Sequence, residues 1–339
     1  MTKINVGLIG AGRIGKVHAE HLAYRIPEAN LSAVSDIFVD AAEELAGILQ
    51  IPSVYKDHRN IMDDSSIEAV VICSSTNTHS QMIAEAAAAG KHIFCEKPID
   101  HDLAKIDHVL GLVENAGVKL QVGFNRRFDP NFKRVRDIVA SGDIGDPQIL
   151  RITSRDPSPP PIEYVKVSGG IFLDMTIHDF DMARFLIDSE VDEIYVVGGV
   201  MIDPQIGEAG DIDTAVITLK YKNGVIGTID NSRQAVYGYD QRIEVFGSGG
   251  CVTADNNFPN TTFISDAKRV HRDLPLNFFM ERYTESYIEE MKAFIQCVQE
   301  DKVPKVTGLD GRIPVVMGYA AKKSYVDNRP VKLSEIDKT

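Results

Sequence analysis

The sequence predicts an α/β fold in its N-terminal part and a second, α+β domain with a large open, mostly antiparallel sheet in its C-terminal part. Up to about residue 123, short apolar runs alternate with amphipathic stretches, which is typical of strand-helix-strand units on a parallel sheet. The run at residues 69–73 is apolar throughout, which predicts a strand buried on both faces. Beyond Phe124, β-like runs follow one another across turn signals such as the one at residues 222–224, which favours antiparallel neighbours.

The chain is long enough for two domains. Its 339 residues exceed the size at which single cores usually stop growing, about 250 residues. The change in pattern after Phe124 places the boundary there. We therefore expect a first domain at residues 1–124 and a second domain at residues 125–339.

Individual elements follow from the apolar pattern and from helix and turn signals. In the first domain, the predicted strands are residues 4–9, 31–35, 69–73, 92–95 and 118–123. An alanine-rich stretch at residues 81–89 predicts a helix that ends at Gly90. In the second domain, the predicted strands include residues 194–200, 214–221, 225–229 and 242–246, and the predicted closing helices are residues 278–300 and 309–326. The prolines of residues 156–161 predict an extended loop without helix.

Composition excludes several classes of partner. The net charge of −13 would repel nucleic-acid backbones and anionic membrane surfaces. The four cysteines have no Cys-x-x-Cys spacing, so we expect reduced thiols and neither a zinc site nor a redox pair. The sequence has no secretion-signal pattern and no apolar segment of 18 residues, so we expect a cytoplasmic protein.

A glycine pattern directly follows the first predicted strand and opens a predicted helix. It consists of Gly10, Gly12 and Gly15, with Arg13 and Ile14 in between. In a dinucleotide-binding Rossmann turn, Gly10 permits the tight turn, Gly12 lets the backbone approach a pyrophosphate, and Gly15 lets the helix pack closely on the strand. A glycine-rich turn without a ligand is the alternative.

The cofactor choice depends on Asp36, which ends the second predicted strand. A carboxylate at this position can accept hydrogen bonds from both hydroxyls of the adenosine ribose. The following residues, Ile37 and Phe38, offer no arginine for the 2′-phosphate of NADP, which Asp36 would repel. The sequence therefore predicts NAD as the cofactor. The turn after residues 69–73 holds Thr76, Asn77 and His79 at the same sheet edge, and we expect it to contact NAD as well.

Lys97 follows the predicted strand at residues 92–95, at the edge where open α/β sheets bind ligands. Its ammonium group can donate a hydrogen bond to a substrate oxygen and stabilise the alkoxide that develops as hydride leaves. A solvated Glu-Lys-Pro loop is the alternative.

An acid and an imidazole four residues apart, Asp174 and His178, share one face of a predicted helical segment, and Asp181 follows on that face. Neutral His178 can accept the proton that alcohol oxidation releases, with Asp174 orienting the ring. Two other interpretations remain open. Asp174 can cap a helix beside a solvated His178, or Asp174, His178 and Asp181 can form a metal site.

Taken together, these motifs resemble the Gfo/Idh/MocA oxidoreductases over essentially the whole chain. The residues that carry the resemblance are 10–15, 74–79, 95–98 and 174–178. Within that family, residues 123–129 and 174–185 are most similar to bacterial inositol 2-dehydrogenases. The resemblance implies NAD-dependent oxidation of a secondary hydroxyl of myo- or scyllo-inositol to the 2-keto inosose. Its catalytic set is Lys97, Asp174 and His178, with His178 as the base.

The resemblance also implies further site residues and an assembly. It assigns Arg127, Asp156 and Tyr239 to the polyol pocket, beside the catalytic set. Ser74 and Glu96 belong to its motifs and are counted with the cofactor-binding residues, as is Lys97. The open C-terminal sheet is expected to build a dimer or tetramer, with a homotetramer as the first expectation.

Each of these three pocket residues has an alternative role. Arg127 can pair with a surface acid, Asp156 can cap the proline turn, and Tyr239 can belong to the core. Some inositol dehydrogenases carry histidine and asparagine near positions 155 and 156, so this departure leaves the preferred epimer open. The rival functions are a dehydrogenase of another sugar or sugar acid, and an NAD-binding regulator without catalysis.

Overall fold

The computed structural model describes residues 3–337 in two units. The first unit extends to Phe128 and also contains Glu285–Ile313, and the second contains Asp129–Thr284 and the residues from Pro314 onward. The first unit was predicted to end at residue 124, and its N-terminal segment ends four residues later, at Phe128. The return of Glu285–Ile313 to the first unit differs from the prediction, which assigned those residues to the second domain.

A six-stranded, fully parallel sheet forms the centre of the first unit. Its strands are β1 (Ile4–Ile9), β2 (Ala29–Ser35), β3 (Ser53–Tyr55), β4 (Ala69–Ile72), β5 (His92–Glu96) and β6 (Leu120–Gly123). They lie in the order β3-β2-β1-β4-β5-β6. Every residue of β4 is fully buried, as its unbroken apolar sequence predicts for a strand covered on both faces. Strand β3 is the one that the sequence analysis did not find.

Helices connect these strands. They are α1 (Arg13–Tyr24), α2 (Val39–Leu49), α3 (Arg59–Asp63), α4 (Thr76–Ala88) and α5 (Leu103–Ala116). Helix α5 begins where Asp102 accepts hydrogen bonds from two backbone amides and ends at Gly117 in the left-handed conformation. Helix α4 begins at Thr76, five residues before the predicted start at residue 81, so the polar turn after β4 belongs to its first turn.

A seven-stranded sheet organises the second unit. Its strands are β7 (Pro147–Arg155), β8 (Val191–Gly199), β9 (Thr214–Tyr221), β10 (Ile226–Ser232), β11 (Asp240–Gly247), β12 (Gly250–Ala254) and β15 (Val331–Lys332); a separate hairpin pairs β13 (Ile264–Ser265) with β14 (Val270–His271). The order in the sheet is β12-β11-β7-β10-β9-β8-β15. All neighbours are antiparallel except β7 and β10, which are parallel. The predicted fold class is thus confirmed.

The remaining helices are α6 (Pro130–Ser141), α7 (Ile162–Val165), α8 (Ile171–Asp174), α9 (Thr176–Leu186), α10 (Pro204–Glu208), α11 (Phe279–Arg282), α12 (Thr284–Gln299) and α13 (Gly308–Asp327). Helices α6 and α9 cover one face of the seven-stranded sheet. The predicted helix at residues 278–300 is two helices, α11 and α12, separated at Tyr283. The proline-rich residues 156–161 contain no helix, as predicted.

Helix α12 explains why the chain returns to the first unit. Its apolar face, with Met291, Phe294 and Ile295, is buried in the core beneath β1, β2 and β4. In addition, Gln121 of β6 donates a hydrogen bond to the backbone oxygen of Glu290. Within residues 3–337, none of the helices combines the length and the apolar character that a bilayer span requires.

All four cysteines are free thiols. Three of them, Cys73, Cys95 and Cys297, are buried, and Cys251 is exposed. Burial raises the pKa of Cys73 and Cys95 well above the ordinary thiol value, which keeps both protonated.

Candidate functional site

The sheet of the first unit reverses its strand order between β1 and β4, which is where doubly wound sheets bind ligands. The loop from β1 into α1 contains the glycine pattern, and its three glycines differ in how strongly the local geometry requires them. Gly10 has φ +102°, and a Cβ on Gly15 would lie 1.9 Å from the backbone oxygen of Gly10. Gly12, by contrast, begins α1 and has open space where its Cβ would be. Only Gly12 is therefore not required by the fold itself.

Asp36 follows β2 at the same sheet edge and is half-buried. Its Oδ2 accepts a hydrogen bond of 2.7 Å from the backbone N–H of Ala11, and its Oδ1 accepts one of 2.8 Å from that of Phe38. The carboxylate therefore stands directly beside the glycine loop, and each oxygen keeps lone pairs for further donors. A helix N-terminus, an unobstructed Gly12 and an adjacent carboxylate fit the pyrophosphate and ribose of a dinucleotide. Of the other fingerprint residues, Arg13 is exposed, and Ile14 packs against the core.

The predicted residues after β4 lie at the start of α4. The hydroxyls of Ser74 and Thr78 are 2.7 Å apart, Thr76 is half-buried, and Asn77 is exposed. His79 differs from these, because its side chain is buried between two loops. Its Nδ1 lies 2.8 Å from the oxygen of Pro98, and its Nε2 lies 3.0 Å from that of Ser74. His79 thus connects the loops after β4 and β5, and its contact with NAD stays a prediction.

Lys97 directly follows β5 and is half-buried. Glu96, the residue before it, is the last residue of β5, and its Oε1 lies 2.8 Å from Nε2 of the fully buried His18. The carboxylate of Glu290 in α12 lies in the same buried cluster, with one nitrogen or oxygen from each of the three side chains within 4.8 Å of the others. Sequence reasoning missed this cluster, because its members come from three distant elements. It holds Glu96 inside the first unit, and the predicted contact of Glu96 with NAD stays a prediction.

Arg127 lies in the short 3₁₀ helix Asn125–Phe128 at the end of the first unit's N-terminal segment. Its Nη2 donates a hydrogen bond of 3.0 Å to Oδ1 of Asp310, in the first turn of α13. The side chain of Arg127 is one-tenth exposed. The acid pairing weighed as an alternative is therefore present, and a role in the polyol pocket stays a prediction.

In the second unit, Asp174 and His178 do not lie in one continuous helix. Asp174 is the last residue of α8 and His178 lies in the first turn of α9, with Met175 between the two helices. The prediction that both residues lie in one helical segment was therefore wrong. Among residues 3–337, the group of His18, Glu96 and Glu290 is the only one that places three possible metal ligands within reach of one another. Asp174, His178 and Asp181, the alternative metal site of the sequence analysis, do not form such a group.

Asp174 is held by two residues that the sequence analysis did not single out. Its Oδ1 accepts a hydrogen bond of 2.8 Å from the hydroxyl of Tyr164 in α7, and its Oδ2 accepts one of 3.0 Å from Nη1 of Arg233. The same Nη1 lies 3.9 Å from Oδ2 of Asp156. Asp156 and Asp174 thus lie close to one buried guanidinium group. No short-range sequence signal could have found Arg233, because Asp174 is 59 residues away along the chain.

Tyr239 lies just before β11 and is 7% exposed. Its ring packs edge-on against Tyr283, with 6.0 Å between the ring centroids. Nearby, the buried Arg282 and Asp129 form an ion pair. Tyr239 therefore contributes to a packed aromatic cluster of the second unit, and its assignment to the polyol pocket stays a prediction.

Two family models, both of GFO/IDH/MocA proteins, match the N-terminal and C-terminal parts of the chain. A family model described as an oxidoreductase family with an NAD-binding Rossmann fold, GFO/IDH/MocA, matches residues 4–124. The model of the GFO/IDH/MocA C-terminal domain matches residues 132–253.

Several relatives that match nearly the whole chain are named as inositol dehydrogenases. The chain is 51% identical over 333 residues to a myo-inositol 2-dehydrogenase of Thermotoga maritima, a match that covers 98% of this chain and 99% of the relative. It is 45% identical to an inositol 2-dehydrogenase of Rhizobium meliloti, over 98% of this chain and 99% of the relative. A solved structure of scyllo-inositol dehydrogenase from Lactobacillus casei, with bound NAD(H) and scyllo-inositol, superposes with a TM-score of 0.92 at 28% identity. That match covers 98% of this chain and 100% of the other.

Proposed function

Because the chain belongs to the Gfo/Idh/MocA family of oxidoreductases with an NAD-binding Rossmann domain, we propose that it oxidises the 2-hydroxyl of an inositol. NAD is the hydride acceptor, and the product is the 2-keto inosose. The observation that carries this proposal is the 51% identity, over 98% of the chain, to a protein named myo-inositol 2-dehydrogenase. The chain also contains the polar side chains that we assign to alcohol oxidation, Lys97, Asp174 and His178.

The cofactor would be held by the first unit. Gly12 leaves room for the pyrophosphate at the N-terminus of α1, in a turn whose shape requires Gly10 and Gly15, and Asp36 stands beside it to accept the ribose hydroxyls. When bound, NAD supplies the hydride acceptor. The polar residues after β4 and β5 lie at the same sheet edge, and we propose Ser74, Thr76, Asn77, His79, Glu96 and Lys97 as its further surroundings.

The chemistry needs a residue that stabilises the developing alkoxide and one that takes its proton. Lys97 serves the first need, because its ammonium group donates a hydrogen bond to the reacting oxygen. His178 serves the second need as the general base. Asp174 orients the imidazole ring and stabilises its imidazolium form, while Arg127, Asp156 and Tyr239 bind the other hydroxyls of the polyol.

The two candidate epimers, myo- and scyllo-inositol, differ in configuration at the reacting carbon and give the same ketone. Relatives and neighbours bear both names, so both epimers belong to the proposal. We further propose a homotetramer that assembles through the open sheet of the second unit. A cytoplasmic location stays a prediction from the sequence.

The test follows NADH absorbance while the protein is offered NAD and a panel of polyols with both inositols, other sugars and sugar acids. We expect turnover with at least one inositol. In Lys97→Ala, we expect kcat to fall by about 10² to 10³, as for the loss of one preorganised donor, with NAD binding retained. Turnover only with another sugar or sugar acid would favour that alternative substrate. Bound NAD without NADH formation from any polyol would favour a regulator.

A further inference from the structure

The topology of the second sheet brings Arg233 beside Asp156. Strands β7 and β10 are parallel neighbours, and Arg155 and Ser232 are partners in their register. The chain therefore leaves both strands at the same sheet edge, where the N–H of Asp156 donates a hydrogen bond of 2.9 Å to the oxygen of Ser232. The first residue after β10 is Arg233, whose side chain is 2% exposed.

Arg233 points its charge at carboxylates of the proposed substrate site. Nη1 is 3.0 Å from Asp174 and 3.9 Å from Asp156. Asp211, which precedes β9, adds a third negative group nearby. Burial alone would lower the pKa of Arg233, but these carboxylates outweigh it and raise the pKa above its ordinary value. One buried cation thus faces three acids.

The guanidinium group of Arg233 makes few other hydrogen bonds. Among the described residues, the hydrogen bond to Asp174 is the only one that this side chain donates, and Nε and Nη2 are buried without an acceptor. A buried donor without an acceptor destabilises a fold, so Arg233 is poorly explained as a purely structural residue. Its principal polar contact is with a predicted catalytic residue.

We propose that Arg233 is a positioning residue that holds the carboxylate of Asp174 in a fixed orientation. This inference rests on the proposed function. Asp174 receives one donor from Tyr164 and one from Arg233, one on each oxygen, so its carboxylate plane is fixed from two sides. Asp156, with its Oδ2 3.9 Å from the same Nη1, places a second carboxylate beside this guanidinium group.

The experiment compares Arg233→Gln, which removes the charge, with Arg233→Lys, which keeps it. Steady-state kinetics with inositol give kcat and KM, and titration with NAD gives the cofactor affinity. We expect kcat of Arg233→Gln to fall by about 10², the loss typical of a misplaced catalytic group, with the Kd for NAD unchanged. Arg233→Lys should recover at least about tenfold of that loss, because it restores the charge beside Asp174.

A double-mutant cycle covers the case in which Arg233→Gln folds poorly because its carboxylate neighbours lose their counter-ion. Asp174→Asn removes one of those charges, so the double variant Asp174→Asn, Arg233→Gln should fold more readily than Arg233→Gln alone. If Arg233 acts through Asp174, Arg233→Gln should cost little further activity in the Asp174→Asn background. Equal further loss in both backgrounds, or parental kcat in Arg233→Gln, would overturn the proposal while leaving the proposed function intact. A parent protein that oxidises no inositol overturns the proposed function and this inference with it.

Discussion

Asp36 lies at the edge of the first sheet, and its substitution tests its predicted role in NAD binding. It receives the amide of Ala11 at 2.7 Å and is the predicted acceptor for the adenosine ribose. We expect Asp36→Ala to weaken NAD binding by about 1 to 3 kcal/mol, the range for losing hydrogen bonds to a charged partner. The preference for NAD over NADP should narrow as well, because the repulsion of a 2′-phosphate is gone.

Titrations of both cofactors against parent and Asp36→Ala provide the measurement. Asp40, in the first turn of α2, offers a control, because it is exposed and is no part of the glycine loop. Asp40→Ala should leave both affinities at their parental values. Equal affinity of the parent for NAD and NADP would contradict the assignment.

His21 makes the first unit sensitive to acid. Burial, with the nearby charges of His18 and Arg25, lowers the pKa of His21 from 6.5 to about 4. The folded state therefore keeps the ring neutral, while the unfolded state takes up a proton below about pH 6.5. Above about pH 6.5, His21 does not reduce the free energy of unfolding. As the pH falls toward 4, the ring is protonated in the unfolded state but not in the folded state, which lowers the free energy of unfolding by roughly 2 to 3 kcal/mol at pH 4.5.

Urea unfolding of the parent and of His21→Gln at pH 7 and pH 4.5 tests this. Both proteins lose stability in acid through other groups, but the parent should lose roughly 2 to 3 kcal/mol more. His271, an exposed residue of β14, supplies the matched control His271→Gln, which should follow the parent. An equal loss in the parent and His21→Gln would show that His21 does not titrate as described.

Residue identities at the candidate site could be predicted where they belong to a local motif. Lys97 and Asp36 each follow a strand directly, so their place at the sheet edge follows from the order of elements. Arg233 and Tyr164 could not be found in this way. The register between β7 and β10 brings Arg233 beside Asp156, and the position of α7 brings Tyr164 to Asp174, and neither leaves a signal in the residues around them.

At the scale of elements, the turn from β1 into α1 shows which glycines the fold requires and which one it does not. A Cβ on Gly15 would collide with the backbone of Gly10, whereas a Cβ on Gly12 meets nothing within 4 Å. We expect Gly12→Ala to keep the stability of the parent within about 1 kcal/mol, since this position begins a helix and alanine is only a weaker cap. Its NAD affinity should fall at least about tenfold, because the methyl group occupies the approach to the pyrophosphate.

Thermal unfolding and NAD titration of three variants measure this difference. Gly15→Ala should lower the melting temperature strongly. Gly111→Ala, in the middle of α5, has the same open space as Gly12 but is no part of the glycine loop, so it should bind NAD normally. Parental NAD affinity in Gly12→Ala would rule out a pyrophosphate at this turn.

Element boundaries were predictable where pattern and caps agree, and not where tertiary contacts decide. Residues 4–9 and 214–221 were predicted with the bounds that β1 and β9 have. The break between α8 and α9 was missed, and the start of α9 after it is bonded to Asn231 of β10. This buried amide accepts a hydrogen bond from Thr176 and donates one to Asp179, which fixes the start of α9 from across the unit. The apolar periodicity of the sequence does not predict such a long-range contact.

For the molecule as a whole, the sequence predicted two units but not their composition. Glu285–Ile313 has the amphipathic pattern of a closing helix, which says that one face is buried but not which core buries it. Met291 and Phe294 complete the core of the first unit, although nearly all of the second unit's sheet precedes them in the chain. Sequence proximity therefore suggested the wrong partner.

Assembly is the last property to follow from the whole fold. One face of the seven-stranded sheet is covered by α6 and α9, while the other leaves apolar side chains exposed. Val197 of β8 and Val216 of β9 are register partners, 58% and 53% exposed, and Phe246 and Ile226 flank Ile149 across three neighbouring strands. Exposed apolar area of this kind on a sheet is typical of a subunit interface.

We therefore expect the parent to be a homo-oligomer and Val216→Glu to dissociate it. Asp230, the register partner of Val216 on β10, is already paired with Arg155, so this arginine is not free to pair with the new carboxylate. In a symmetric interface that charge would be buried against its own copy or against other apolar side chains, and either is unfavourable. Sedimentation at several concentrations should give multiples of 37.4 kDa for the parent and 37.4 kDa for Val216→Glu. Val303→Glu places the same charge on a valine that is 77% exposed in the first unit, and it should keep the parental mass. A monomeric parent, or an intact oligomer in Val216→Glu, would mean that this sheet face does not join subunits.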